Sequence, residues 1–329
     1  MLKVWSERPI LRDCLPQLDG VAEPIGPGSA TPDDFLAAWP EADCVLAGGM
    51  RYDAAAMDLA PGLLVISRMG IGFENVDLRA ATERGIAVTY TPDGPTIATA
   101  EHAVALMFAV AKDLKKASDG LLNDRRPDYY ARHSALEIHE SRVGLVGLGR
   151  IGSHVSRILK AAGARVAAFD PYVDKAKAAD LGVALAGSLE ALLAESDIVS
   201  LHLPLNPGTR HLIGPATLPL MKAQAILINV SRGGLVDEAA LLDALDSGRI
   251  RGAGLDVTDP EPAEADNPLL HRHEVIVTPH VGSATHTGKR RILSHAIDNL
   301  KLTLNVQRPE HLLNPEAWEQ FKGRVDART

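Results

Sequence analysis

The stretch from Val143 to Asp170, VGLVGLGRIGSHVSRILKAAGARVAAFD, limits what this chain can fold into more than any other. Val143, Gly144, Leu145 and Val146 make a short run suited to the middle of a parallel sheet. Gly147, Gly149 and Gly152 follow at once, spaced G-x-G-x-x-G. Ile151, Val155, Ile158 and Leu159 recur at helical spacing, and Gly163 closes that helix. A second strand, Arg165 to Phe169, ends on Asp170. The order is strand, glycine turn, helix, strand, acid.

Each part has a physical task if the ligand is a dinucleotide. Gly147 permits the tight turn, Gly149 lets the main chain approach a pyrophosphate, and Gly152 lets helix and strand pack closely. The helix N-terminus, where Arg150 and Ile151 are the first residues, is expected to direct its N–H groups at the phosphates. Asp170, 18 residues beyond Gly152, falls where a carboxylate accepts hydrogen bonds from both ribose hydroxyls. It would repel a 2′-phosphate, so the expected cofactor is NAD(H) rather than NADP(H). A glycine turn used only for packing is the alternative.

With 329 residues the chain exceeds what one core fills efficiently, so two domains are expected. Apolar residues make up 46% and the longest apolar run, Ala103 to Ala111, is too short to cross a bilayer. The opening MLKVWSERPILRD lacks the apolar centre of a secretion signal, which places the protein in the cytoplasm. A formal charge of −8 disfavours nucleic acid and acidic membranes as partners, so an anionic substrate must be met by local arginines and backbone N–H groups. Cys14 and Cys44 lack metal-ligand spacing and read as buried thiols.

The fold expected is α/β with two domains: a Rossmann-type doubly wound parallel sheet and a smaller flavodoxin-like α/β domain that is discontinuous in sequence. Four short strands, Leu2–Trp5, Cys44–Ala47, Leu63–Ser67 and Ile86–Thr89, alternate with helices at Asp33–Trp39 and Asp77–Arg84. The third strand runs into SRMGIG, where Gly70, Ile71 and Gly72 form a turn able to present N–H groups to a carboxylate, with Arg68 beside it. A long helix from Thr96 to Lys116 then bridges the domains. The polar, irregular Leu121–His139 segment, with Arg125, Arg126 and Pro127, connects it to the glycine motif. Further strands at Ile198–Leu201, Ala225–Val230, Ala253–Val257 and Val275–Val277 bring the nucleotide sheet to six. His202, Pro204 and Thr209 could border the adenosine end of its cleft. The helix His286–Leu304 is expected to return to the first domain, and the chain from Arg308 onward to run extended over the surface. The domains are thus 1–115 with 287–329, binding substrate, and 116–286, binding NAD.

Three strand ends carry the polar groups a catalyst needs: NVSRGG with Val230 and Arg232, LDVTDPEP with Asp256 and Glu261, and VTPH with His280. A strand ending in a charged residue followed by glycine or proline projects that residue into the cleft above the sheet. Glu101 and His102 read as packing or helix-surface groups. HRHE, with His271 and His273, reads as a polar loop, and no metal site is expected.

The motifs MGIGFENVDLRAATERGI, VGLVGLGRIG, HLPLNPGTRHLI, INVSRGGLVDEAALLDAL, GAGLDVTDPEP and VTPHVGSAT, in this order, resemble the D-isomer-specific 2-hydroxyacid dehydrogenase family. The resemblance covers most of the chain. It implies an NAD-dependent oxidoreductase that interconverts a 2-keto acid and a D-2-hydroxy acid. Arg232, Glu261 and His280 match the family's catalytic arginine, glutamate and histidine, Asp256 the acid near the nicotinamide carboxamide, and Ile71 with Gly72 the carboxylate-binding turn. It also implies a homodimer. Reduction builds negative charge on the keto oxygen, which a histidine can protonate, while Glu261 favours the imidazolium and orients it. Arg232 can hold the carboxylate and polarise the carbonyl. Glu261 stands where formate dehydrogenases carry glutamine, which argues against formate. Arg68 raises the expectation of a second anionic group on the substrate. The glyoxylate/hydroxypyruvate branch resembles the segment around Glu261 yet often uses NADPH, in conflict with Asp170. An NAD(H)-responsive binding protein without turnover, similar to the family's corepressor relatives, is the alternative.

Overall fold

A computed structural model describes residues 1–26, 37–123 and 128–327. Most of the expected helix at 33–39, together with Arg125, Arg126 and Pro127, lies outside the described residues. The chain divides into two compact units, Met1–Pro95 with Ala284–Thr329, and Thr96–Ser283.

In the first unit the strands are β1 (Leu2–Ser6), β2 (Ala22–Ile25), β3 (Cys44–Ala47), β4 (Val65–Arg68) and β5 (Ala87–Tyr90). They pair in parallel in the order β2-β1-β3-β4-β5, the flavodoxin order. Val45, Ala47, Ile66 and Val88 face one layer, with Met57 from the helix Ala54–Asp58 and Ala80 and Ala81 from the helix Leu78–Glu83. Cys44, Leu46, Val65 and Ala87 face the other, covered by the helix His286–Leu304 through Leu293, Ala296, Ile297 and Leu300. Alternation of buried side chains along each strand gives a sheet covered on both faces. β2 was not expected, because AEPI is short and polar.

The end of the chain corrects an expectation. Residues 309–327 do not run extended over the surface. Asn314 accepts from the Val88 N–H at 2.8 Å and donates to the Ile86 carbonyl at 2.8 Å, docking the segment on β5. The helix Trp318–Asp326 then buries Phe321 completely in the core. One buried amide, Asn314, and one buried ring, Phe321, tie down this polar run, and burying an aromatic ring is worth about 1.5–3 kcal/mol.

The second unit contains β6 (Arg142–Val146), β7 (Arg165–Phe169), β8 (Ala184–Leu185), β9 (Ile198–Leu201), β10 (Ala225–Asn229), β11 (Ile250–Leu255) and β12 (Val275–Val277). All pairs are parallel, in the order β12-β11-β10-β9-β6-β7-β8. The six expected strands are present and the two-residue β8 adds a seventh. The order reverses between β6 and β9, and ligands of such sheets bind at that switch point, beyond the carboxyl ends of the strands. Ile226 and Ile228 pack with the helices Thr96–Ala111 and Arg150–Ala161, while Ala225 and Leu227 pack on the opposite face with the helices Leu189–Glu195 and Glu238–Asp246.

The division between units falls at 95/96 rather than 115/116, and at 283/284 rather than 286/287. Ala103, Leu106, Met107 and Val110 share one core with Val143, Leu145, Ile226 and Ile228, and this burial assigns their helix to the second unit. That helix ends at Ala111, and Asp113 turns the chain at a φ of 50°. A second helix, Leu114–Asn123, runs on into the segment expected to be irregular from Leu121, and a third, Tyr129–Arg132, stands within it. Among the described residues no helix is long and apolar enough to cross a membrane.

Candidate active site

The glycine turn follows β6 at the switch point. Gly147 has a φ of 99°, and a Cβ there would lie 2.4 Å from the His202 carbonyl oxygen; at Gly152 it would lie 2.3 Å from the Gly147 carbonyl oxygen. Only glycine lets the turn, the helix and the end of β9 approach this closely. Gly149 is different: its φ is −70° and a Cβ would meet nothing within 4 Å. As the N-cap it supplies no side chain, so no side-chain cap closes the start of this helix. One such dipole contact is worth only about 0.3–1 kcal/mol, so several converging N–H groups are needed to hold a pyrophosphate.

Asp170 ends β7, the neighbour of β6. One of its oxygens accepts the Leu148 N–H at 2.8 Å and the other the Tyr172 N–H at 2.9 Å, which fixes the carboxylate beside the turn and leaves a lone pair on each for ribose hydroxyls. Lys177 caps the Leu148 carbonyl at 2.9 Å. This turn, the uncapped helix start and the oriented acid fit a dinucleotide.

His202 follows β9. Its Nε2 meets Ser200 Oγ at 2.9 Å, and its buried Nδ1 has no partner among the described residues. Burial pushes its pKa down to about 3, so the ring stays neutral beside the turn. Thr209 accepts the Asn206 N–H and donates to the Pro204 carbonyl, closing the loop that carries Pro204.

Beyond the carboxyl ends of β10, β11 and β12 lie the expected catalytic groups. Asn229 and Val230 are buried, and Asn229 holds the next turn by donating to the Arg232 carbonyl at 2.8 Å and accepting from the Ser231 N–H at 3.0 Å. Arg232 is half-buried there, one N–H on the Ser231 carbonyl. A Cβ at Gly233 would lie 2.0 Å from the Thr258 carbonyl oxygen, so glycine lets the loop of Arg232 press against the loop leading to Glu261. His280 Nδ1 and Glu261 Oε1 form a short hydrogen bond, with side chains 45% and 39% exposed. A pair this exposed adds only about 0–1 kcal/mol to stability. His280 also sits at a φ of 52°, which costs an L-residue about 1–3 kcal/mol. Stability therefore does not explain the arrangement, and strain of this kind points to function.

Asp256 anchors the neighbourhood. It accepts Thr278 Oγ1 at 2.6 Å and the N–H groups of Val281 and Gly282 at 2.9 and 2.8 Å, with His102 Nε2 at 3.3 Å. The His280 N–H binds the Asp256 carbonyl at 2.8 Å. Burial pushes the carboxyl pKa up, but hydrogen bonds from His102, Thr278, Val281 and Gly282 outweigh it and hold the group below the usual carboxylate range. Sequence reasoning left His102 as a packing group. It lies 154 positions from Asp256, and only the packing of its helix on the sheet brings the two together.

In the first unit, Ile71 and Gly72 follow β4. Gly70 turns at a φ of 141°, held by its N–H on Thr91 Oγ1 at 2.8 Å, and the N–H groups of Ile71 and Gly72 donate to no acceptor among the described residues. Arg68 directs Nε to Asn75 Oδ1 at 3.3 Å and Nη1 to the Met69 and Ala47 carbonyls at 2.6 and 3.3 Å. His271 meets the Ala265 carbonyl and His273 meets Asp119.

A family model described as the NAD binding domain of the D-isomer specific 2-hydroxyacid dehydrogenases matches residues 104–282. D-3-phosphoglycerate dehydrogenase from Methanocaldococcus jannaschii is 36% identical over 318 residues, covering 95% of this chain and 60% of that protein. Glyoxylate reductase from Korarchaeum cryptofilum is 39% identical over 266 residues, 80% of each chain. The crystal structure of the TT0316 protein from Thermus thermophilus is 36% identical, with a TM-score of 0.86, over 95% of this chain and 100% of that one. The chain spans 60% or less of the length of the phosphoglycerate dehydrogenases it matches. The matched region contains the glycine turn, Asp170 and the Asp256 anchor, and NAD is the cofactor of this unit. With a match over more than half its length and relatives of this identity, the chain belongs to the D-isomer specific 2-hydroxyacid dehydrogenase family.

Proposed function

We propose that the chain reduces a 2-keto acid to a D-2-hydroxy acid with NADH, the second unit binding the cofactor and the first the substrate carboxylate. The observation that carries this reading is the His280–Glu261 pair, strained and exposed at the end of a sheet whose switch point suits a dinucleotide. Nδ1 of His280 is engaged by Glu261, which leaves Nε2 as the proton donor to the keto oxygen. Bound nicotinamide supplies a hydride to the carbonyl carbon. Hydride and proton together complete the hydroxy acid. In the second unit Arg232 is the group to bind a carboxylate and polarise a carbonyl; in the first, the Ile71 and Gly72 N–H groups, without an acceptor among the described residues, make a turn suited to a carboxylate. Asp256 and Val230 would hold the nicotinamide end, and His202, Pro204 and Thr209 the adenosine end.

Arg68 is assigned to holding the substrate turn rather than reading a second anion, because its Nε and Nη1 are already engaged by Asn75 and by the Met69 and Ala47 carbonyls. Asp170 favours NADH over NADPH. A homodimer formed through the second unit is supported by Leu114, Leu121, Leu122 and Tyr130, all strongly exposed on its helices. A cytoplasmic location suits two free buried thiols.

NADH absorbance followed with glyoxylate, hydroxypyruvate, larger 2-keto acids and 3-phosphohydroxypyruvate tests the reading. Oxidation of NADH with at least one of them is expected. Tight NADH binding without turnover on any would replace it with the binding-protein alternative.

A further inference from the structure

The first sheet has its own switch point, between β1 and β3, and there the occupant is a side chain of the protein itself. Glu7, directly after β1, accepts the N–H groups of Gly48, Gly49 and Met50 at 2.6, 2.5 and 3.0 Å and the Tyr52 hydroxyl at 2.8 Å. Three successive N–H groups aimed at one carboxylate make a backbone nest for an anion. A Cβ on Gly48 would lie 2.5 Å from Glu7 Oε1, so the glycine is matched to the carboxylate. Tyr52 is buried, and burial together with the Glu7 charge pushes its phenol pKa up, which keeps it a donor.

This loop is tied to the turn after β4. Asn75 donates to the Gly48 and Met50 carbonyls at 3.1 and 2.5 Å, and its own carbonyl accepts the Tyr52 N–H at 2.7 Å. The Asn75 side-chain oxygen accepts Arg68 Nε, and Arg68 Nη1 reaches the Met69 carbonyl. A continuous set of hydrogen bonds thus runs from Glu7 through the 48–52 loop, Asn75 and Arg68 to the residue before Gly70.

We propose that Glu7 is a positioning residue for the substrate site: by filling the nest of residues 48–50 it fixes the 48–52 loop and, through Asn75 and Arg68, the N–H groups of Ile71 and Gly72. It touches no reacting atom. The proposal rests on the reading of Ile71 and Gly72 as the carboxylate turn. The proteins to compare are wild type, Glu7→Ala, Glu7→Gln, Gly48→Ala and Tyr52→Phe as full chains. Steady-state kinetics use the best 2-keto acid of the panel, with NADH affinity measured separately by fluorescence.

Glu7→Ala and Gly48→Ala are expected to raise the KM for the keto acid tenfold or more, with NADH affinity within twofold of wild type. Glu7→Gln, which keeps one acceptor oxygen, should recover part of the loss, and Tyr52→Phe should show a smaller rise. A KM within twofold of wild type in both Glu7→Ala and Gly48→Ala would overturn the proposal. If neither folds, Tyr52→Phe decides, and an unchanged KM there overturns it. Amide hydrogen exchange separates this proposal from the functional reading, because it needs no turnover. In Glu7→Ala, or in Tyr52→Phe where the former does not fold, exchange should accelerate in both 48–52 and 69–72. Acceleration confined to 48–52 contradicts the coupling even if the enzyme is active. Absence of turnover in wild type would remove the functional reading alone.

Discussion

Two turns in this protein expose backbone N–H groups to an anion, and they are built in opposite ways. The turn after β6 is made by its own sequence: Gly147 supplies the left-handed backbone, Gly152 the close approach, and the helix that follows the uncapped N–H groups. The turn after β4 owes Gly70 and the adjacent Arg68 to local sequence. Asn75, Thr91 and, at one remove, Glu7 hold it from elsewhere in the chain. A helix start keeps its N–H groups aimed because the helix is rigid, whereas a bare turn needs side chains to do the same. The first construction can be read whole as a motif; of the second, SRMGIG shows the turn and Arg68 but not Asn75, Thr91 or Glu7, which hold it.

Alanine substitutions break this contrast most severely at Gly147. A Cβ 2.4 Å from a backbone oxygen at a φ of 99° should cost about 3 kcal/mol or more, read as a fall in the urea midpoint at unchanged slope. Gly149→Ala, with open space around its Cβ, should fold within about 0.5 kcal/mol of wild type yet bind NADH tenfold or more weakly. Loss of stability at both positions would mean the motif is packing alone. Asp170→Ala should cost NADH about 1.5–3 kcal/mol of binding and narrow its advantage over NADPH, as titrations with both cofactors would show.

Acid stability sharpens the comparison in the second unit. The Asp256 carboxyl titrates lower folded than unfolded, so its contribution to stability is present above the ordinary carboxylate range and is lost as pH falls through its folded pKa. Asp256→Asn should therefore flatten the fall in stability below about pH 4, by at most about 1.4 kcal/mol per pH unit. An unchanged slope would show that Asp256 does not carry it. Arg68→Ala is expected to have the smallest effect in relative terms. If Arg68 holds the turn, monoanionic and dianionic keto acids lose equally in kcat/KM; a loss confined to the dianion would return Arg68 to direct anion recognition.

The sequence made the second sheet readable because its strands are continuous apolar runs ending in distinctive residues, and Gly147, Asp170, Arg232, Glu261 and His280 each sit at such an end. What escaped was whatever depends on distance along the chain. His102 looks like one more helical residue until its helix packs over β10 and β11 and brings it to Asp256. Glu7 is a lone acid after a strand until the loop of Gly48 folds over it. The tail beyond Arg308 is polar on average, and Asn314 and Phe321, with the backbone of Leu313, reverse the outcome by meeting backbone groups of β5 and apolar surface of the core.

The central claim is tested most directly by comparing wild type with His280→Phe, measuring kcat for the best 2-keto acid beside the affinity for NADH. Removal of a positioned general acid should lower kcat by about 10²–10⁴-fold while NADH binding stays within twofold. Equal kcat in the two proteins would contradict the assignment of His280 as the proton donor and, with it, the catalytic role of the pair it forms with Glu261.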